Sequence, residues 1–265
     1  PGIFTSDDNK LIVDLDVTSY YPSIIIEENL YPAQLGPSFV DHMKMLRDQR
    51  IEAKKAKNTI VADALKIVVN ATFGKLNDTF SPIRSVIDAH RVTINGQLFI
   101  LMLIESLHAA GAEIVSANTD GVTICWERDK IAAKLSNIVS EWERRSGYLL
   151  ERVDYSKYIR RDINNYIAVT TKGKVKLKGC FEPEPKGSGK WDGMIIKKAA
   201  VEFFVNNIPV EDTVNKETDL RKFLFYERTK TGGVLCFDKQ QIGKSIRWYA
   251  SIVGGAITRY NPNAK

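Results

Sequence analysis

At 265 residues, 44% of them apolar, the chain is long enough for one large domain or two to three small ones with real cores. Three scattered cysteines (Cys125, Cys180, Cys236) and three histidines without ligand spacing (His42, His90, His108) exclude a disulfide framework, a spaced zinc site and His-based triad chemistry. The net charge of +6 suits a polyanionic partner, and residues 151–200 carry twelve Lys/Arg against six Asp/Glu, a surplus as large as that of the whole chain.

The opening PGIFTSDDNK has no initiator Met, no basic n-region and no apolar h-region, so a fragment boundary and no signal peptide are expected there. No apolar run reaches the roughly 18 residues of a membrane span, so no membrane partner is expected. The unpaired cysteines point to a reducing compartment, a cytoplasm or a host's cytoplasm.

Residues 10–17, KLIVDLDV, predict a buried strand interrupted by Asp14 and Asp16, and a buried carboxylate needs a partner such as a metal. The pattern turns at Pro22. Ser38 followed by Asp41 predicts a helix start with a capping box, running to about Lys57. A second helix is predicted from about Thr59 to Phe73, with Gly74 as its stop, so the two form a helical hairpin. A long amphipathic helix follows over about 88–110 and ends at Gly111.

Two apolar strands then flank Asn118-Thr119-Asp120-Gly121, a hairpin signal. Asp129 is predicted to cap a helix with Ile131, Leu135, Ile138 and Trp142 on one face. Strands return over 151–180, with a Lys-rich hairpin around Gly173. KGSGK at 186–190 reads as a linker, and about 191–265 as a small separate lobe of mixed structure.

Three stretches carry candidate chemistry. In Asp16-Val17-Thr18-Ser19-Tyr20-Tyr21-Pro22-Ser23-Ile24-Ile25, a strand-end carboxylate precedes a turn whose amides can hold phosphate oxygens; a turn-capping Asp is the alternative. In Lys66-Ile67-Val68-Val69-Asn70-Ala71-Thr72-Phe73-Gly74, a cation, an amide and a ring share one helix face at i, i+4 and i+7; an ordinary exposed face is the alternative. In Ala117-Asn118-Thr119-Asp120-Gly121, a hairpin tip presents a carboxylate; a plain β-turn is the alternative.

Together and in this order, the three resemble the D-x-x-S-L-Y-P-S-I-I, K-x-x-x-N-S-x-Y-G and D-T-D-S motifs of family B DNA polymerases, especially the compact phage-type and mobile-element-type members. The resemblance covers roughly 10–180, and 190–250 more weakly. It implies an α+β fold: a right-hand polymerase core with an antiparallel palm sheet backed by helices, helical-hairpin fingers and a small mixed thumb. The implied division is 1–37 palm, 38–77 fingers, 78–185 palm and 186–265 thumb.

The resemblance also implies roles. Asp16 and Asp120 bind two Mg²⁺ ions, for which Mn²⁺ can substitute, and the Val17 carbonyl completes the shell. Ser19 and Tyr20 hold triphosphate through backbone amides, and Tyr21 is the steric gate that selects dNTP. Arg50 and Lys54, with Arg47 as competitor, and Lys66 contact triphosphate. Asn70 lines the nucleotide pocket, and Phe73 and Gly74 border the nascent base pair. Tyr166, Lys176 and Lys178 contact DNA. Arg247-Trp248-Tyr249 resembles a thumb element, although core packing is the favoured reading of Trp248 and Tyr249.

The implied partners are primer–template DNA and dNTP. No exonuclease motif is present, so the implied activity is extension without editing, with the exonuclease half trimmed away or on a separate chain. The sequence departs from the family at Tyr20 (usually Leu), Ala71 (Ser), Phe73 (Tyr), Asn118 (often Asp) and Gly121 (Ser). Asn118 keeps open the alternative of a weakened, DNA-binding remnant.

Overall fold

The computed structural model describes residues 1–183, 192–229 and 232–261. The chain forms two units. The larger comprises residues 3–158 and 170–174, the smaller residues 1–2, 159–169 and 175–265.

The larger unit begins with β1 (Gly2–Thr5) and β2 (Lys10–Val17), followed by α1 (Tyr20–Glu27), α2 (Ser38–Lys55), α3 (Thr59–Leu76) and α4 (Val86–Ala109). The hairpin β3 (Glu113–Ala117) and β4 (Gly121–Glu127) comes next. A short α5 (Arg128–Lys130) continues through a π-turn at Ile131–Leu135 into α6 (Ser136–Ser146), and β5 (Leu150–Asp162) follows. Hydrogen bonds order the sheet β3-β4-β2-β5, and β2 is antiparallel to both β4 and β5.

The two-residue period of β2 decides which face is which. Leu11, Val13, Leu15 and Val17 are buried in one core with Ile24, Leu103 and Trp142. Asp14 and Asp16 therefore lie on the opposite face. The predicted apolar face of 131–142 also holds, since Ile131, Leu135 and Trp142 all enter this core.

α2 and α3 pack as the expected helical hairpin. Their connection is tight: Lys57 takes a left-handed conformation, and the Asn58 side chain accepts from the Val61 N–H at 3.3 Å. That contact supplies one of the acceptors that the first turn of a helix lacks.

Three predicted helix ends differ. Ser38 lies inside α2, not at its cap, and its hydroxyl donates to the Leu35 carbonyl, so no capping box with Asp41 forms. α3 does not stop at Gly74: it runs on to Leu76, whose burial against the core holds the extra residues in register. Asp129 sits within the first turn after Glu127 and makes no capping bond. No uninterrupted apolar run reaches 18 residues, although α4 as a whole is long and apolar enough to cross a membrane; it buries Val92, Gly96, Ile100, Leu103 and Leu107.

The smaller unit holds the end of β5, β6 (Asn165–Thr170) and β7 (Val175–Lys178), the last two forming the predicted hairpin around Gly173. α7 (Met194–Asn206), α8 (Val210–Lys216) and five short strands follow: β8 (Phe225–Arg228), β9 (Val234–Phe237), β10 (Gln240–Gly243), β11 (Ser245–Trp248) and β12 (Ile257–Tyr260). β11 pairs with β8, and β9 lies between β10 and β12. The KGSGK linker predicted at 186–190 lies outside the described residues.

Candidate active site

Asp16 is the penultimate residue of β2. It stands opposite Gly121 of β4 on one side and Glu151 of β5 on the other. The Val17 N–H donates to the Asp120 carbonyl at 2.7 Å, tying the end of β2 to the hairpin tip. The tip is closed by the Asn118 N–H on the Gly121 carbonyl at 3.0 Å and by the Asp120 N–H on the Asn118 Oδ1 at 3.2 Å. Asp16 and Asp120 therefore issue from adjacent strand ends, 104 residues apart in sequence. Asp16 is exposed and Asp120 half-buried.

The approach of the two strands is close. A Cβ on Gly121 would lie 2.7 Å from the Leu15 carbonyl oxygen and 3.0 Å from the Asp16 Oδ1. Asp14 has a different fate from Asp16: its carboxylate accepts from the Thr123 hydroxyl at 2.7 Å and the Tyr155 hydroxyl at 2.8 Å. Those bonds supply the partners a carboxylate in a buried strand requires, with no metal.

The turn after β2 is made by Ser19 in a left-handed conformation. α1 starts at Tyr20, so the amides of Tyr20 and Tyr21 precede any intrahelical acceptor, and Pro22 has none to offer. The Tyr20 side chain is core: it is buried, donates to the Gly96 carbonyl at 2.7 Å and meets Tyr148 edge-on. Burial, reinforced by Tyr148, Tyr21 and Asp120, pushes its phenol well above the ordinary tyrosine range. Only the backbone of Tyr20 is thus left for a ligand. Tyr21 is half-buried and stacks on Phe73 of α3, with ring centroids 4.2 Å apart.

α2 presents two cations to this turn. Arg50 donates to the Ser19 hydroxyl, while its buried Nε has no partner among the described residues. One turn on, the Lys54 Nζ lies 2.6 Å from the Glu151 Oε1, which also accepts from the Thr18 hydroxyl at 3.3 Å. Burial raises the Glu151 carboxyl, but the hydrogen bond and charge of Lys54, with Thr18 and Arg50, outweigh it and leave the group below its usual 4.5. Arg47, the competitor of Arg50, instead faces Glu27 at 3.6 Å and Asp48 at 3.0 Å.

On α3, Lys66 and Asn70 stand exposed, about two turns and one turn before Phe73. Neither side chain makes a hydrogen bond or ion pair with the described residues. Gly74 is exposed as well, with nothing within 4 Å of where a Cβ would sit.

The structure thus brings Asp16, Val17, Asp120, Ser19, Arg50 and Lys54 to one strand-end cluster, and Tyr21 to Phe73. Glu151 joins the cluster unpredicted. Its signal was a carboxylate opening the strand at Leu150, which only the β2–β5 register connects to Asp16.

In the smaller unit, Tyr166 pairs with Lys178 across the β6–β7 hairpin, and Lys176 carries its ammonium 5.7 Å from the centre of the Tyr166 ring. Lys178 also lies 3.7 Å from Glu182. Trp248 stacks on Phe225 at 4.7 Å, in keeping with core packing, whereas Tyr249 is 66% exposed and is not core.

No group of three or more His, Cys, Asp or Glu side chains arranged to hold a metal occurs among the described residues. The donors at the strand ends are two carboxylates and a backbone carbonyl. All are hard oxygens, the type that suits Mg²⁺. Gly121, opposite Asp16, approaches so closely that no side chain fits between the two strands at that point. In donor type, the residues present fit such an ion.

No protein-family model and no curated protein sequence matches this one. Among solved structures, the fold is similar to that of the family B DNA polymerase from the hyperthermophilic archaeon Pyrobaculum calidifontis, with a TM-score of 0.56 and 19% identity. The match covers 87% of this chain and 35% of that one, so the chain spans about a third of the length of that polymerase. At that identity the likeness is one of fold: a mixed α+β region with an antiparallel sheet.

Proposed function

We propose that the chain is the nucleotidyl-transferring core of a family B-type DNA polymerase, adding dNMP from dNTP to a primer 3′-OH. The observation that carries this reading is the strand-end pairing: Asp16 opposite Gly121, with the Val17 N–H on the Asp120 carbonyl, puts two motif carboxylates at neighbouring strand ends. On this reading residues 1–37 and 78–185 are palm, 38–77 fingers and 186–265 thumb.

Asp16, Asp120 and the Val17 carbonyl would hold the Mg²⁺ ions. When bound, such ions supply Lewis-acid activation of the attacking hydroxyl and stabilisation of the leaving pyrophosphate. The amides of Ser19, Tyr20 and Tyr21 bind phosphate oxygens as a helix start does. Arg50, Lys54 and Lys66 offset the negative charge of the triphosphate. The Tyr21 ring, held by Phe73, bars a 2′-hydroxyl, and Asn70 lines the pocket beside it. Tyr166, Lys176 and Lys178 contact the duplex backbone, a sequence-independent role.

Asn118 favours a second reading, a DNA-binding remnant, because it puts an amide where a carboxylate is common. Its Oδ1 closes the tip by accepting from the Asp120 N–H, a bond that needs no charge. One assay separates the readings: primer extension on a DNA template with Mg²⁺, comparing dNTP with NTP. Asp16→Ala and Asp120→Ala are each expected to lower extension by about 10²–10³-fold or more, with duplex affinity retained. Normal extension by either variant refutes the site, and no extension by the parent chain leaves the remnant.

A further inference from the structure

Lys54 is already engaged by an anion of the protein itself. Glu151 stands opposite Asp16 on β5, and its Oε1 takes both the Lys54 ammonium at 2.6 Å and the Thr18 hydroxyl at 3.3 Å. Arg50, one turn earlier on α2, is likewise held by the Ser19 hydroxyl. Both α2 cations are therefore held beside the turn that follows Asp16, Arg50 by Ser19 of that turn and Lys54 by Glu151 of β5.

We infer that Glu151 is a resident anion of the nucleotide site, competing with the phosphates of the incoming nucleotide for Lys54. This rests on the polymerase reading given above. Three features support it. The pair is half exposed on both sides, 49% for Lys54 and 51% for Glu151. Exposed ion pairs contribute little to stability, so holding α2 against β5 is a weak reason for this one. The carboxylate also shares its oxygen with Thr18, within the turn whose amides are to bind phosphate. And a single carboxylate facing a single ammonium is the kind of contact that a magnesium-neutralised polyphosphate, with several oxygens to offer, displaces without moving the backbone.

The role makes Glu151 a determinant of nucleotide affinity. Glu151 costs binding, because Lys54 must release it before it can reach a phosphate. It also keeps the ammonium directed at the turn when no nucleotide is bound.

The test uses Glu151→Gln, which keeps the shape and an acceptor for Thr18 but removes the charge, together with Lys54→Met, which keeps the stem. The direct readout is binding of inorganic tripolyphosphate with Mg²⁺ by calorimetry, alongside KM for dNTP in primer extension. Glu151→Gln is expected to tighten tripolyphosphate binding and to lower KM, each by about three- to tenfold. In the Lys54→Met background the same change is expected to do nothing, because the competition has lost its object.

Weaker or unchanged tripolyphosphate binding by Glu151→Gln overturns the inference. A gain that persists without Lys54 overturns it too, since Glu151 would then act only through its general field. A fall in kcat at constant KM would mean that Glu151 serves the reacting atoms, and also overturns it. If the parent chain extends no primer while the tripolyphosphate results come out as expected, the polymerase reading falls and the competition stands.

Discussion

The substitution Gly121→Ala tests the geometry on which the site depends. A Cβ at this position would meet the Leu15 carbonyl oxygen at 2.7 Å, the Asp16 Oδ1 at 3.0 Å and the Asp16 Cα at 3.2 Å. A relaxed carbon–oxygen contact needs about half an ångström more. β4 cannot easily retreat, because it is paired with β2 from Lys10–Glu127 to Asp16–Gly121, and β2 is bonded to β5 on its other side. Overpacking of this kind costs about 1–3 kcal/mol, and the lower entropy of an unfolded alanine returns about 0.4–1 kcal/mol. The net loss is at most about 2.6 kcal/mol, read as a lower urea midpoint. The strain falls on Asp16 itself, so primer extension should drop further than stability does, by up to about 10²-fold for a displacement near 1 Å. A variant with parental stability and extension would show that the strands have slack here, and that the position of Asp16 does not depend on a bare glycine. Loss of stability alone would show that Asp16 tolerates displacement.

Two further predictions concern the frame. Tyr20→Phe removes the bond to the Gly96 carbonyl and should cost about 1 kcal/mol in urea denaturation, with an unchanged midpoint refuting a role for that bond. In the smaller unit, Lys198 and Lys222 each donate to the Glu217 Oε2 at 2.8 Å and the Asp219 N–H to its Oε1, bonds that hold the Glu217 carboxyl at about 2. A carboxyl depressed on folding stabilises above its unfolded value and loses that contribution as pH falls, here from about 4.5 toward 2. Glu217→Gln should flatten this part of the acid-unfolding curve followed by circular dichroism, and identical curves would refute the assignment.

Much of the fold was legible because its signals are local. The alternation in KLIVDLDV, the turn residues at 118–121 and the apolar face over 131–142 each act within a few residues, and each reappears in the structure. The misread features lie where a tertiary contact outweighs local preference. Gly74 has the propensity to end a helix, but burial of Leu76 carries α3 past it. Ser38 and Asp41 have the spacing of a capping box. The turn at 35–37, however, takes the Ser38 hydroxyl for its own carbonyl.

The site divides along the same line. Asp16 and Asp120 were readable as strand-end and turn-tip carboxylates, but their meeting is a property of register. The odd positions of β2, Leu11 to Val17, are buried, and that fixes the face on which Asp16 emerges. A slip of one residue would bury the carboxylate and expose the valines. The hydrophobic pattern therefore locates the candidate site as firmly as the acidic residues do. The same register carries Glu151 to Asp16 from 135 positions away, which no local spacing announces. On α2 the face that carries Lys54 to Glu151 also carries Arg50, one turn earlier, to Ser19, while Arg47 meets Glu27 and Asp48. The anion that Lys54 meets thus comes from β5, a strand that the motif pattern does not include.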